Sequence, residues 1–351
     1  MLSETQKIKK WIACGVLLAA SLLNATALKS QQGKLTNPVL ENADPFIALV
    51  RGNYILLATT GRNITLWSGP RMEELAHFPR VVWTPSQDDP LQKLLTQIWS
   101  PTLWQFDDRW WIYFTATTDG GNSGHAIFAL ESVGNNPLGP YTFAGKVETG
   151  QPSIDPSVLR AGHKSYLMFV SVTGGHNAVW IAPLSGPQTL ARKPNLLIYP
   201  DMPWEQGKGS TSDLPVAEGP TALYYDGHTF IVYSGSHTAS PVYCLGLFTY
   251  SGHGEITDPR NWRKSGPVFQ QSIKDGVFGP GRGTFTTSPD GRQNWILYAA
   301  KTSSAFTAQG RSIRAQLFTF DASGMPDFGS PVSPGTVLTA PSGEAPSTLQ
   351  H

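Results

Sequence analysis

The chain has 351 residues, 40% hydrophobic and 11% aromatic, enough to bury one large core or two ordinary ones. Its 26 Lys and Arg balance 25 Asp and Glu with no block of like charge, which argues against a partner read through phosphates, so no nucleic acid is expected. With 35 Gly and 28 Pro the chain carries the turn punctuation of an all-β protein, and the lack of an HExxH run or paired Cys motif leaves no metal cage to read.

Residues 1–27 read as an export signal. Lys7, Lys9 and Lys10 precede the apolar run WIACGVLLAASLL, and the small residues of Ala25 to Ala27 offer a cleavage site. The run is shorter than the ~20 residues a spanning helix needs, so the expectation is a secreted, extracellular protein with no membrane association once the signal is removed. Cys14 leaves with the signal and Cys244 remains alone, so no internal disulfide can form. Cys244 lies in the strand-like PVYCLGLFTY and reads as a small buried hydrophobe. Asn63-Ile64-Thr65 is an N-glycosylation sequon in a polar turn.

From here the chain repeats itself five times. ADPFIALVRGNYILLAT, WSPTLWQFDDRWWIYFTAT, IDPSVLRAGHKSYLMFVSV, EGPTALYYDGHTFIVYSGS and FGPGRGTFTTSPDGRQNWILYAAK share one plan. Each has a proline, a short strand, a Gly- or Asp-based turn, and a strand rich in aromatic and β-branched residues, which is a hairpin signature. The prolines are Pro45, Pro101, Pro156, Pro220 and Pro280, spaced 56, 55, 64 and 60 residues apart. A third strand follows each hairpin, as in ITLWSG and CLGLFTY, with room for a fourth. The spacing predicts an all-β, five-bladed β-propeller over residues 28–340, with the polar, Pro- and Ser-rich residues 341–351 as a flexible C-terminal tail.

In such a ring the first strand of each blade lines the central channel, and the residues before the five prolines converge at one rim. Asp44, Asp155 and Glu218 then face a common funnel. The loops between second and third strands reach the same rim with Arg62, Asn63, Asn122, His125, His176, Asn177, His237 and Lys301. Carboxylates without a metal suit glycoside cleavage with inversion, which needs one acid to protonate the leaving oxygen and another, roughly 6.5–9.5 Å away, to activate water. A third acid nearby raises the pKa of the proton donor by like-charge repulsion.

ADPFI, SIDPSV and AEGPTAL, in that order over blades one, three and four, resemble glycoside hydrolase family 43, and the similarity runs from about residue 37 to the end of RAQLFTFDASGMPDFGSPV. The resemblance implies a five-bladed propeller of the inverting α-L-arabinofuranosidases, arabinanases and β-xylosidases. It implies Asp44 as general base, Glu218 as general acid, and Asp155 as the acid that tunes the pKa and orients substrate. Two positions depart from the family pattern. Arg282 in GPGRGTF stands where many members have a histidine sometimes associated with a metal ion, so neither metal nor other cofactor is expected, and Arg282 becomes a candidate for binding a sugar hydroxyl or holding a carboxylate ionised. Thr102 stands in IWSPTL where an acid is usual. Phe46 and Trp99 are candidates for an apolar pocket wall and His237 for a substrate contact. The expected activity is release of terminal α-L-arabinofuranose from 1,5-linked arabinan by a monomer, with plant cell-wall arabinan, and arabinoxylan as a second candidate, as partner. A β-xylosidase or endo-arabinanase is the alternative within the class, and a lectin-like propeller without turnover the alternative outside it.

Overall fold

The computed structural model describes residues 33–121, 124–206 and 215–347. The expected signal and Asn122 lie outside the described residues. Among those described, the strands form five radial sheets and one two-stranded clasp. The innermost strands are Ala43–Val50, Thr96–Phe106, Ile154–Ala161, Ala217–Tyr225 and Phe278–Thr287, and each begins one proline-led repeat. Within each blade the strands run antiparallel from the axis outward in chain order, except that in blade three Asn195–Ile198 pairs back onto the third strand, and successive inner strands pack side by side, the fifth against the first. The ring is therefore the expected five-bladed propeller.

The second strand of each blade is buried on both faces because a neighbouring blade covers each side. Its alternate residues consequently enter different cores. In blade two, Ile112 and Phe114 pack toward blade one, while Trp111 and Tyr113 pack toward blade three. The buried apolar side chains of the described residues fall into five clusters, one at each blade interface. At ~1.5–3 kcal/mol for each large apolar side chain fully buried, these interfaces carry the fold without a disulfide. Cys244 is buried within this packing, and burial, then the charge of Glu205, pushes its thiol up to about 12.

The ring is closed by the N-terminal segment. Lys34–Thr36 pairs with Val337–Thr339, and Val39 and Leu40 hydrogen-bond with Ile313 of blade five. The buried Asn37 side chain donates to the Ala315 carbonyl and accepts from its N–H, both near 2.9 Å. The tail expected from residue 341 is docked as far as 347. Glu344 accepts from Met72 N at 2.8 Å, Arg71 donates to the Ala345 carbonyl at 3.0 Å, and Ser342 donates to Asp290 at 2.7 Å. The polar composition that reads as a loose tail instead supplies partners for Arg71 and the backbone of blade one.

One backbone feature recurs in all five inner strands. The residue before each of the five prolines has positive φ: 57° at Asp44, 49° at Ser100, 56° at Asp155, 57° at Gly219 and 57° at Gly279. The ladder to the second strand skips at each of these places, which is a β-bulge. Proline has no N–H to lose at the break. The bulge also frees the N–H of the residue before it, and at four of the five positions the preceding blade accepts that hydrogen. Ser100 N donates to Thr59 Oγ1 (2.9 Å), Asp155 N to Thr115 Oγ1 (3.0 Å), Gly219 N to Asp155 Oδ2 (3.0 Å), and Gly279 N to the Pro241 carbonyl (2.7 Å). Blades are thus stitched together at the rim where the predicted acids stand.

Replacing the buried Thr115 by Val keeps its shape and removes the acceptor for Asp155 N. The expected loss, read from the denaturant midpoint at unchanged m, is about 1–3 kcal/mol, the cost of an orphaned buried donor. Unchanged stability would mean that the stitch contributes nothing.

Candidate active site

Positive φ is sparsely populated for residues with a Cβ and costs ~1–3 kcal/mol each, so Asp44, Ser100 and Asp155 are held there by their surroundings. Blades four and five have glycine at this place for a steric reason. A Cβ on Gly219 would stand 2.7 Å from Arg282 Cδ, and one on Gly279 2.8 Å from the Ser240 carbonyl oxygen. The acid of blade four is therefore carried one position earlier, on the longer Glu218.

The Asp44 and Asp155 carboxylates belong to one hydrogen-bonded chain that crosses four blades, ending on the backbone N–H beside Glu218. Thr59 Oγ1 donates to Asp44 Oδ2 at 2.7 Å while accepting from Ser100 N. Ser100 Oγ donates in turn to Asp155 Oδ1 at 2.7 Å, and Asp155 Oδ2 accepts from Gly219 N. Arg282 Nη1 approaches Asp155 Oδ2 to 3.1 Å, an ion pair by distance without the alignment of a hydrogen bond, and its own N–H is held by Ser234 Oγ at 2.8 Å. Arg311 Nη1 donates to Asp44 Oδ1 at 2.8 Å.

These partners place Asp44 and Glu218 in opposite electrostatic settings. Burial pushes Asp44 up, but the guanidinium groups of Arg311 and Arg282, with hydrogen bonds from Thr59 and Arg311, outweigh it and hold the carboxyl below its ordinary range. Glu218 forms no ion pair among the described residues, and Arg311 reaches it only as a minor, more distant charge. Burial first, then the negative charge of Asp155, push it up to about 7, against hydrogen bonds from Tyr243 OH (3.0 Å) and Asn177 Nδ2 (3.2 Å) that favour the ionised form. Burial and the Glu218 charge keep the Tyr243 phenol protonated and hence a donor. The site holds one carboxyl ready to accept a proton and one ready to give it near neutral pH, the division acid–base work requires.

The space around them has two lobes. An inner cavity of about 310 Å³ is lined by Asp44, Ser100, Asp155, Tyr243, Arg282 and Arg311. An outer one of about 350 Å³ is lined by His125, Ser153, Val170, Val172, Asn177 and His237. Trp99, Ile154, Glu218 and Thr238 line both and form the throat between them.

Of the residues expected to bind substrate, Trp99, His237 and Arg282 are in these walls. Trp99 stacks on His125 with ring centres 4.6 Å apart. His237 is held from protonating by burial, then by the charge of Lys301, and its Nδ1 accepts from Ala239 N. Arg282 is 5% exposed and committed to Asp155, so it serves the carboxylate. Phe46 lines neither lobe. It is buried in the core between blades one and two, edge-on to Trp104 at 5.2 Å, because alternation resumes after the bulge and turns its side chain sideways. Among the rim loop candidates, His176 packs against Tyr199 and Lys301 is buried below the rim. Thr102, in place of the usual acid, is buried and donates to the Pro156 carbonyl while accepting from Trp104 Nε1. Arg311, Tyr243, Thr59 and Thr238 escaped the sequence reading. Arg311 had a readable signal, since it stands where the third strand of blade five begins, the place taken by His125 and Asn177 in blades two and three.

Among the described residues no three His, Cys, Asp or Glu are grouped as metal ligands, and the Arg282 guanidinium already supplies Asp155 with a positive charge. The residues present therefore do not fit a cation at that place.

Fold and site together define a class: a five-bladed propeller with paired carboxyl groups suited to glycoside cleavage at one mouth of its channel. The sequence profile of glycosyl hydrolases family 43 matches residues 35–326, and the chain belongs to that family. Over 340 residues it is 29% identical to an extracellular exo-α-(1→5)-L-arabinofuranosidase of Streptomyces avermitilis, the match covering 92% of this chain and 69% of the relative. It is 30% identical to α-L-arabinofuranosidase 43 of Humicola insolens, covering 85% of this chain and 63% of the relative, so the chain spans about two thirds of the length of these relatives. The crystal structure of an α-L-arabinofuranosidase from Lactobacillus brevis superposes with a TM-score of 0.78 at 28% identity, covering 86% of this chain and 98% of that one.

Asp155→Asn removes the negative charge beside Glu218 and leaves Arg282 unpaired, and both changes favour ionised Glu218. If Glu218 must be protonated to act, the alkaline limb of the kcat/KM profile lies near pH 7 in the native protein and moves to lower pH in the variant. A limb that stays in place would disconnect Glu218 from that titration.

Proposed function

We propose that the protein is an inverting exo-α-L-arabinofuranosidase that releases terminal arabinofuranose from 1,5-linked arabinan or arabino-oligosaccharides. The observation that carries this reading is the place of Glu218 in the throat, with Asp44 and Asp155 in the inner lobe. A terminal sugar in the inner lobe and its leaving group in the outer one put the glycosidic oxygen at Glu218. The inner lobe lies at the small end of the ~300–1,000 Å³ usual for ligand sites, which suits one pentose.

In this reading Asp44, kept ionised by Arg311, takes a proton from water as the water oxygen bonds to the anomeric carbon. Glu218, kept protonated by burial and Asp155, gives its proton to the departing oxygen as the glycosidic bond breaks. Asp44 and Glu218 stand on blades one and four, which are not neighbours in the ring, as expected when a water must fit between the base and the sugar. Each turnover leaves Asp44 protonated and Glu218 ionised, and exchange with solvent restores both. Arg282 fixes Asp155, and the Trp99–His125 stack gives the throat a flat apolar wall. The names of the Streptomyces and Humicola relatives support arabinofuranose as the sugar, and the extracellular naming of the first supports secretion.

Incubation with linear arabinan, arabinoxylan and xylobiose is expected to release monomeric arabinose from linear arabinan, with the β-anomer seen first by proton NMR. A ladder of oligosaccharides, or xylose alone, would overturn the proposal. Glu218→Gln is expected to lower kcat by at least 10²-fold, the low end for a general acid, and sugar binding without any release by the native protein would favour a lectin.

A further inference from the structure

Lys301, at the end of the second strand of blade five, is 1% exposed and has no carboxylate partner among the described residues. An ammonium has three protons to donate. All three find main-chain carbonyls: Ala239 at 2.6 Å, Thr307 at 2.9 Å and Ala305 at 3.1 Å. The acceptors come from two separate rim loops, 236–243 of blade four and 302–311 of blade five. The Thr307 N–H also donates to the Ala239 carbonyl, at 2.9 Å, so the ammonium seals a junction the backbone begins.

Each loop ends in a side chain that holds one of the two opposed carboxyl groups. Loop 236–243 ends at Tyr243, which donates to Glu218, and its course is tight: Ser240 N donates to the His237 carbonyl and Tyr243 N to the Ser240 carbonyl. The Tyr243 ring lies on Gly281, where a Cβ would come within 2.1 Å of it. Loop 302–311 ends at Arg311, which donates to Asp44 and, through Nε, to the Ala308 carbonyl at 3.0 Å. The bulge of blade five carries Gly279 in place of an acid; a Cβ there would clash with the Ser240 carbonyl oxygen of the clamped loop at 2.8 Å and would sit in ordinary contact with Lys301 Cε and Tyr243 Cβ, so loop, lysine stem and tyrosine pack together over this glycine.

We propose that Lys301 is a positioning residue for both halves of the acid–base pair: its ammonium clamps the two rim loops so that Tyr243 is presented to Glu218 and Arg311 to Asp44. This rests on the reading of Asp44 and Glu218 as base and acid. The clamp acts like a bound cation built into the chain and touches no substrate, since Lys301 lines neither lobe. The charged and titratable groups around it are Arg311 and His237. Around the carboxyl groups they are Arg311, Arg282, Glu218 and Tyr243 at Asp44, and Asp155, Tyr243, Asp44 and Arg311 at Glu218.

Lys301→Met keeps the stem and removes the donors. The expected result is a folded protein with kcat lowered about tenfold or more, KM changed less, and both limbs of the pH profile moved to higher pH. The acid limb rises because Asp44 loses the alignment of Arg311, and the alkaline limb because Glu218 loses the hydrogen bond from Tyr243. Loss of the lysine charge alone would move the limbs the same way, so the decisive measurement is the double-mutant cycle. In an Arg311→Met background the lysine change is expected to leave the acid limb still, and in a Tyr243→Phe background the alkaline limb. Losses that simply multiply, with limb shifts intact in both backgrounds, overturn the proposal, as does a stability loss with unmoved limbs. Should Lys301→Met not fold, Lys301→Gln, which keeps one amide donor pair, is carried through the same cycle. Full activity in Glu218→Gln would sink the site assignment itself, whereas an inactive Glu218→Gln beside an unaffected Lys301 cycle would sink only the clamp.

Discussion

A bulge placed one residue ahead of a proline, with its backbone at positive φ, sets everything at the mouth of this propeller. A regular inner strand would alternate its side chains into the two flanking blade interfaces, where a carboxylate has no place. The bulge breaks that alternation ahead of the proline in every blade and exposes polar residues to the channel. The strain at Ser100 and Asp155 persists because the preceding blade captures their freed N–H groups through Thr59 and Thr115, Asp155 itself captures that of Gly219, and Asp44 is held instead through its carboxylate by Thr59 and Arg311. The same bonds that hold the ring together therefore aim the acids, and fold and site share one cause.

From that shared frame the chain makes two carboxyl groups behave differently. Asp44 and Glu218 are both sheltered from water, and burial alone would push both up. The difference lies in what each faces: two guanidinium groups for Asp44, a phenol, an amide and another carboxylate for Glu218. Asp155 joins the two, being close enough to Glu218 to raise it while pinned by Ser100, Gly219 and Arg282. Arg282 lines the inner lobe but is nearly buried, and the partner its guanidinium faces is Asp155.

Much of this was legible in the sequence, for identifiable reasons. Each repeat begins with the proline that its bulge tolerates, so five prolines near sixty residues apart marked the blades, and the acids beside three of them marked the site. Phe46 was not legible because its position two residues past Asp44 gives no hint of which way the strand turns after the bulge. Tyr243 and Arg311 stand on loops whose paths depend on Lys301, a residue that reads as a rim contact and is in fact sealed beneath it. The docked segment 341–347 depends on Arg71 and Met72, some 270 residues earlier in the chain, a pairing that local composition cannot disclose.

The central claim is spatial: a terminal pentose sits in the inner lobe with its glycosidic oxygen at the throat. A crystal structure of the Glu218→Gln variant with a 1,5-linked arabino-oligosaccharide measures this directly. The expected result is the non-reducing sugar among Asp44, Asp155 and Arg311, a water between Asp44 and the anomeric carbon, and the next sugar beside Trp99 and His125. A sugar chain lying in the reverse direction, or bound away from these carboxyl groups, would contradict it.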